Sequence, residues 1–396
     1  MNKKNILIVG GGFGGVRSAL DLCKNDAFRV TLVSNHETFR YYPSLYHTAT
    51  GGRQSESSIP LKTVFKDKNI NLVIANADKL DHESKRITTS HGAAYDYDFL
   101  ILSLGVVTNY FNIKGLEEYS YGIKSLEEAE NLKHHLHQQL LDKRQPDLNY
   151  VVIGGGPTGI ELSGALVEYL RHIMKNHNLR SRKIHIDLIE AAPRLVSRMP
   201  ETVSKRIAKH LKDMGIKLYL GQTVKGETAD NLNVNGNLIS SHTVVWTAGV
   251  VNNPFFQNNQ FNISDHGKVS VDQYLQAAPD VFVIGDNANT PFSGLAQTAI
   301  YDADFVCQNL KRHSEGKMPK LYSPKEPISA IPAGEHWAAI TWGKFQFYGW
   351  FGWALRMLAD LVAFHDLEPW WSATEQWMSE FGEQEECPEC GKHFNR

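Results

Sequence analysis

Four cysteines, Cys23, Cys307, Cys387 and Cys390, are all that this 396-residue chain contains, too few for the disulfide framework of a small secreted scaffold. The first two have no close neighbour in sequence, so a reducing cytosol is the natural compartment. Long apolar runs are also missing. The longest stretch, 350–364, is broken by Arg356 and Asp360 and falls short of the roughly 18 uncharged apolar residues that a spanning helix needs. No charge predominates: a formal net charge of -2 leaves no whole-chain field to hold nucleic acid, which is not expected as a partner. A secretion signal is not expected either, because Ile6-Leu7-Ile8-Val9 runs at once into glycines without a cleavage site and reads as a first strand. A chain of this length fits two or three domains, each with enough apolar residues to bury a core.

What is present is an order of strand, glycine turn, helix and strand, met twice, the pattern of α/β units with parallel sheets. The first copy runs from Ile6-Leu7-Ile8-Val9 through Gly10 to Gly15, into a helix, and on to the strand Arg29-Val30-Thr31-Leu32-Val33. The second runs from Tyr150-Val151-Val152-Ile153 through Gly154 to Gly159, then to Ile184-His185-Ile186-Asp187-Leu188-Ile189. Each copy has its own exit strand, Phe99 to Gly105 for the first and Val244 to Gly249 for the second. A further strand, Val281-Phe282-Val283-Ile284, ends at Gly285-Asp286 and is expected to return to the first sheet, which makes the second unit an insertion.

Both glycine turns have the spacing Gly-x-Gly-x-x-Gly, as Gly10, Gly12, Gly15 and as Gly154, Gly156, Gly159, each between a strand and a helix. The first glycine permits the tight turn, the second lets backbone approach a pyrophosphate, and the third brings helix and strand together. The helix N-terminus then supplies N–H donors to the phosphates. An acid at the end of the second strand should hold the adenosine ribose. Glu190 stands there in the later unit; it binds a free 2′-hydroxyl and repels a 2′-phosphate, which favours NADH over NADPH. The earlier unit has Ser34 and Asn35 instead, which leaves neutral hydrogen bonds only.

The stretches Ile153-Gly154-Gly155-Gly156-Pro157-Thr158-Gly159-Ile160-Glu161-Leu162-Ser163-Gly164-Ala165, Thr247-Ala248-Gly249-Val250 and Phe282-Val283-Ile284-Gly285-Asp286 resemble the flavoproteins with two dinucleotide-binding domains. Among these, the chain most resembles the type II NADH dehydrogenases, membrane-surface NADH:quinone oxidoreductases of the pyridine nucleotide-disulfide oxidoreductase-like superfamily; Tyr42 to Gly51 and Ala296 to Ile300 add to the likeness. The resemblance implies an α/β fold of two Rossmann-like domains. FAD would be held by residues 1–115 and 253–325, NADH by the inserted residues 116–252, and residues 326–396 would form a C-terminal amphipathic helical region. It implies FAD contacts at Gly10, Gly12, Phe13, Gly14, Gly15, Ser34, Asn35, Ala77, Gly105, Thr108, Gly285, Asp286, Ala296 and Gln297. For NADH it implies Gly154, Gly156, Pro157, Thr158, Gly159, Glu161, Glu190, Ala248 and Gly249.

By the same resemblance Glu161 orients the nicotinamide or quinone or relays a proton, its alternative being a plain partner of the helix dipole. Gln297 lines the quinone pocket, where the family has a second glutamine four residues on and this chain has Tyr301, still a hydrogen-bond donor. Hydride transfer needs little from side chains, since the flavin carries the chemistry. Disulfide reductases and sulfide:quinone oxidoreductases need redox cysteines, and none occurs between Cys23 and Cys307. A soluble NADH-dependent flavoprotein with a protein or oxygen acceptor, and a redox-responsive NADH/FAD-binding interaction protein, stay open beside the quinone reading.

Seven of the eight tryptophans lie at 337–377, which sets the C-terminal region apart. Trp350, Trp353, Ala354, Met357, Leu358, Leu361 and Phe364 recur at helical spacing, with Arg356 and Asp360 on another face. Such a helix suits a membrane interface, its alternative being a core or dimer-interface helix. Residues 331–396 hold ten acids against four Lys and Arg, so attraction to anionic lipid is not expected to drive binding; Trp370, Trp371, Trp377 and Phe381 either extend the aromatic surface or cover a partner subunit. The resemblance implies a peripheral homodimer at the cytoplasmic face of the cell membrane. Cys387, Cys390 and His393 resemble half of a zinc ribbon, too few ligands for a structural site unless a dimer shares the metal; an incidental pair in a tail is the other reading.

Overall fold

A strand that is apolar at every position suits the inside of a parallel sheet, where both of its faces are covered. Ile6-Leu7-Ile8-Val9 lies there: in the computed structural model Lys4–Val9 is flanked by Phe28–Ser34 and Phe99–Leu102, both parallel to it. The structure describes residues 3–144, 147–179, 182–365, 384–391 and 393–395.

Two compact units divide the chain, the first formed by 1–40, 59–107 and 250–327 and the second by 41–58, 108–249 and 328–396. Two of the differences from the four segments expected from sequence are large, beside shifts of a few residues that put 108–115 in the second unit and 250–252 in the first. Residues 41–58 group with the second unit, and so does the C-terminal part.

The first unit holds a six-stranded sheet in the order Gln276–Ala278, Val281–Val283, Phe99–Leu102, Lys4–Val9, Phe28–Ser34, Ile70–Ile74. Val281–Val283 pairs parallel with Phe99–Leu102, the return to the first sheet that the sequence predicts. The helix Phe13–Leu22 packs on Ala296–Ser314, with Arg17 Nε 2.7 Å from Asp304 Oδ1 and Lys311 Nζ 2.7 Å from Asp21 Oδ2. A small antiparallel sheet, Ala77–Asp81, Arg86–Thr89 and Ala94–Asp96, belongs to the same unit.

In the second unit Asn149–Ile153 sits between His185–Glu190 and Thr243–Trp246, with Lys217–Leu220 outermost and all four strands parallel. The helix Leu126–Leu141 opens on a capping box, where Ser125 and Glu128 satisfy each other's backbone N–H groups. Pro157–Asn176 leads from the glycine turn into the core.

The C-terminal sheet Ser329–Pro332, Ala338–Trp342, Phe345–Phe347 completes this core: Ile331, Ala333 and Ala339 join the buried cluster of Leu166 and Leu170. Gly164 makes that contact close, since a Cβ there would overlap Gly334 N and lie 2.7 Å from the carbonyl carbon of Ala333.

The helix Gly349–His365 carries its apolar and charged residues on different faces. Met357 and Asp360 are buried, and Arg356 Nη2 lies 3.2 Å from Asp360 Oδ2, so the charged face turns into the protein. Trp350, Phe351 and Leu358 are 64%, 53% and 58% exposed, so the helix is apolar outside. The inward charges are tolerated because they are paired and hydrogen-bonded: the Tyr41 hydroxyl donates to Asp360 Oδ1 at 2.9 Å. Trp370, Trp371, Trp377 and Phe381, with the side chain of Phe364, lie outside the described residues. Among the described residues no helix is long and apolar enough to cross a membrane.

Candidate functional site

The two glycine turns share one geometry. Gly10 and Gly154 both have φ of +117°, open to glycine and strained for other residues. A Cβ on Gly10 would overlap the Ser103 carbonyl oxygen, and one on Gly154 would lie 2.7 Å from Thr247 Oγ1 and 2.9 Å from Ala248 Cα. At the third positions a Cβ on Gly15 or Gly159 would overlap the carbonyl oxygen of Gly10 or Gly154. Packing alone therefore demands the first and third glycines. The second are different: around Gly12 and around Gly156 a Cβ would meet nothing within 4 Å.

Each of these two glycines caps its helix without a side-chain hydrogen bond, and neither helix has an acid in its first turn. The first-turn N–H donors and the positive end of the helix dipole are left for an anion at a place the fold keeps clear. The residues thus fit a dinucleotide pyrophosphate in both units. Phe13 begins the first helix, its ring 5.0 Å from that of Phe39, and Gly14 is buried with room for no side chain, its Cβ falling 2.7 Å from Ser103 Oγ. Pro157 stands in the first turn of the second helix, where a missing N–H costs nothing, and both it and Thr158 are exposed.

At the ends of the second strands the units part. Glu190 Oε2 accepts from the Gly155 N–H at 2.5 Å and Oε1 from the Ala192 N–H at 2.6 Å. These bonds fix the carboxylate and leave further lone pairs, since it has about four acceptor sites. Ser34 is spent locally. Its hydroxyl donates to the His36 carbonyl at 2.8 Å and accepts from the His36 N–H at 3.2 Å, while Asn35 is exposed.

The remaining sites of the first unit are organised by two residues that the motif reading missed. Buried Asn287 accepts from the Gly105 N–H at 2.9 Å and donates to the Gly105 carbonyl at 2.7 Å, so it holds the exit strand to the Gly285-Asp286 turn. Buried Asp302 accepts from the Gly285 N–H at 3.0 Å and from the Tyr322 hydroxyl at 2.6 Å. An acid among Ala299, Ala303 and Val306 on one helix face was the available signal. Gly285 has φ of +66°, and Asp286 beside it is half-buried. Ala296 and Gln297 open the helix Ala296–Ser314, and Tyr301 follows one turn on, with Lys325 Nζ 5.2 Å from its ring centre. Ala77 begins an outlying strand, and Thr108 is the first residue of the second unit's long segment.

In the second unit Thr247 Oγ1 donates to the Ile153 carbonyl at 2.8 Å, which ties the exit strand to the glycine turn. Ala248 is exposed and Gly249 buried, where a Cβ would overlap the Asn109 carbonyl oxygen.

Glu161 stands in the opening of the helix Pro157–Asn176, with some surface still open to solvent but protein densely around it. Burial pushes its carboxyl up to about 8; Arg356 opposes the shift and Asp360 adds to it. Arg356 also sits 6.0 Å from the Tyr46 ring centre. Tyr41, Tyr46, Glu161, Arg356 and Asp360 thus come from three sequence segments of one unit.

The Cys pair is not a loose tail. Cys387 is buried with Sγ 3.5 Å from His137 Nδ1, and Cys390 is exposed; the side chain of His393 lies outside the described residues. All four cysteines are free thiols.

Residues 4–303 match the family model described as pyridine nucleotide-disulphide oxidoreductase, and the chain belongs to that family. In sequence it is similar to the type II NADH:quinone oxidoreductase of Staphylococcus epidermidis, 28% identical over 341 residues that span 80% of this chain and 84% of the relative. In fold it is similar to NDH2 from Plasmodium falciparum in complex with NADH, at a TM-score of 0.85 and 18% identity over 96% of this chain and 97% of that one. It also resembles the sulfide:quinone oxidoreductase of Aquifex aeolicus, at a TM-score of 0.78 and 18% identity over 94% and 92% of the two chains.

Proposed function

We propose that this chain is a non-proton-pumping NADH:quinone oxidoreductase that holds FAD in its first unit and NADH in its second. The observation that carries the reading is the pair of glycine turns whose middle glycines, Gly12 and Gly156, face open space beneath uncapped helix N-termini. The sequence likeness to type II NADH:quinone oxidoreductases names the acceptor as a quinone. When bound, the flavin accepts two electrons with a hydride and returns them to the acceptor.

The chain's own residues bind, orient and move protons. Glu190, already fixed by two backbone N–H groups, accepts from the adenosine ribose and sets the preference for NADH. In the first unit the N–H groups after Gly12 and the Asp286 carboxylate hold the FAD pyrophosphate and ribityl chain; with Ser34 bonded to His36, its ribose depends on fewer partners. Gln297 and Tyr301, one helical turn apart, donate to a quinone carbonyl. Quinone reduction to quinol takes up two protons, and Glu161, its carboxyl raised to about 8, is protonated at neutral pH and can give one.

The enzyme sits on the cytoplasmic face of the membrane as a peripheral homodimer. Trp342, Phe345, Trp350, Phe351 and Leu358 supply its apolar surface; the ring of Phe347, 5.4 Å from that of Phe351, joins hairpin to helix. The test is turnover: the purified flavoprotein should oxidise NADH with a short-chain quinone as acceptor. Protein that oxidises NADH but reduces neither short-chain quinones nor menaquinone analogues contradicts the assignment.

A further inference from the structure

The histidines 137 and 177 and the CxxC pair take no part in the chemistry above, yet the second unit brings them together. His137 is buried on the helix Leu126–Leu141, His177 follows the end of Pro157–Asn176, and Cys387 is buried; one ligand atom of each lies within 4.8 Å of the others. The 3.5 Å between His137 Nδ1 and Cys387 Sγ matches the edge of a zinc tetrahedron, about 3.5 Å for Zn–S near 2.3 Å and Zn–N near 2.0–2.1 Å. The other ring nitrogen, Nε2, is 2.8 Å from the hydroxyl of buried Tyr169. With Nδ1 as ligand, Nε2 carries the proton and donates to that oxygen, the kind of outer partner that orients a ligating imidazole.

The sulfur side is shaped for the same purpose. Cys387-Pro388-Glu389-Cys390-Gly391 turns through Gly391 at φ of +65°, whose N–H donates to the Cys387 carbonyl at 2.8 Å. The backbone N–H groups of Glu389 and Cys390 point at Cys387 sulfur, and the two thiols are themselves hydrogen-bonded. Gln384–Glu386 and His393–Asn395 pair antiparallel on either side and hold the turn as a hairpin tip.

We propose that His137, His177, Cys387 and Cys390 bind one structural zinc ion that fastens the C-terminal hairpin to the two helices. Two imidazoles and two thiolates form a closed tetrahedral set that suits zinc. Binding releases the two thiol protons to solvent. Two thiolates also cancel the ion's charge, so the site can be buried without an unpaired charge. No second subunit is needed: the two ligands that the Cys pair lacked come from the same chain.

The test uses the full-length holoprotein, without a histidine tag and purified without chelator, and elemental analysis. One zinc per chain is expected, lost in Cys387→Ser, Cys390→Ser and His137→Gln, while the KM for NADH reports that the unit is still folded. Tyr169→Phe should keep the site but weaken zinc affinity by about tenfold or more. Cobalt added to chelator-stripped wild type should give the d–d bands of a tetrahedral thiolate site, which fall to the red of flavin absorption. Wild-type protein that holds no zinc and shows no such bands overturns the proposal, as does full zinc occupancy in Cys387→Ser. Full occupancy in Cys390→Ser removes that residue from the site and the four-ligand assignment with it.

Discussion

The two glycine turns have the same backbone and different strand ends. Gly10 and Gly154 share φ of +117°, and in both turns the third glycine is pressed against the carbonyl of the first. Where the second strands end, one unit offers a carboxylate fixed by two N–H groups, and the other a serine whose hydroxyl is already bonded to His36. The difference separates two demands that a single fingerprint mixes. The outer glycines serve the fold, whereas the middle glycine and the strand-end residue serve the ligand, so each unit can change its ligand without changing its fold.

Substitutions two residues apart should break that comparison most sharply. Gly10→Ala and Gly154→Ala force a side chain into backbone at a left-handed position and should cost more than about 4 kcal/mol, read as loss of the cooperative thermal transition. Gly12→Ala and Gly156→Ala keep extended φ near -88° and -77° with open space beyond. They should melt like the parent but weaken FAD and NADH respectively by about 10- to 100-fold, measured by flavin content and by the KM for NADH. Equal effects at the inner and outer positions would end the division of roles.

Glu161 comes next. Glu161→Gln should slow quinone reduction by about 100-fold or more while the reduction of flavin by NADH is spared, and should abolish a fall in the wild-type acceptor step above pH about 8. Glu227, buried elsewhere in the same unit and also raised to about 8 by burial, is its structural counterpart. Both acids hold their proton more tightly folded than unfolded. Their contribution to stability is therefore complete at low pH, is lost as pH climbs from the ordinary carboxylate range to about 8, and is flat above. Glu227→Gln should flatten that slope in urea unfolding and leave turnover alone; Glu161→Gln should change both.

A smaller effect is expected at the ribose. Glu190→Gln removes a charged acceptor and should raise the KM for NADH by about tenfold and narrow the margin over NADPH; an unchanged ratio places the ribose elsewhere. Smallest is the surface. Phe345→Ser with Trp350→Ser should reduce binding to neutral phosphatidylcholine vesicles without altering turnover on a short-chain quinone. Because the region is acidic, added salt should not release the wild type. Truncation after Lys325 is not a clean test, since Ile331, Ala333 and Ala339 belong to the second unit's core.

The parallel strands and both glycine turns were legible because their signals are local: short apolar runs that end at fixed glycine spacings. The antiparallel sheet Val224–Glu227, Asn231–Val234, Asn237–Ser240 was missed although Asn235-Gly236, both at positive φ, mark its hairpin. The apolar and charged residues of the tail helix were legible as separate faces, but which face meets the protein was not, because both arrangements have the same period; the Arg356–Asp360 pair and Tyr41, 319 positions away from Asp360, decide it. Asn287 and Asp302 act on backbone groups brought near by topology, and His137 and His177 look in sequence like ordinary helical histidines. No spacing rule joins them to Cys387 until the helices are packed.

The central claim is that the two open cradles hold a flavin and a nicotinamide that exchange electrons without cysteine. Anaerobic absorption spectra of the purified protein test it directly. Stepwise NADH should bleach the flavin band to an endpoint near one equivalent, and a quinone added next should restore it. A colourless protein that takes up no FAD, or a flavin that NADH leaves oxidised, would contradict the account.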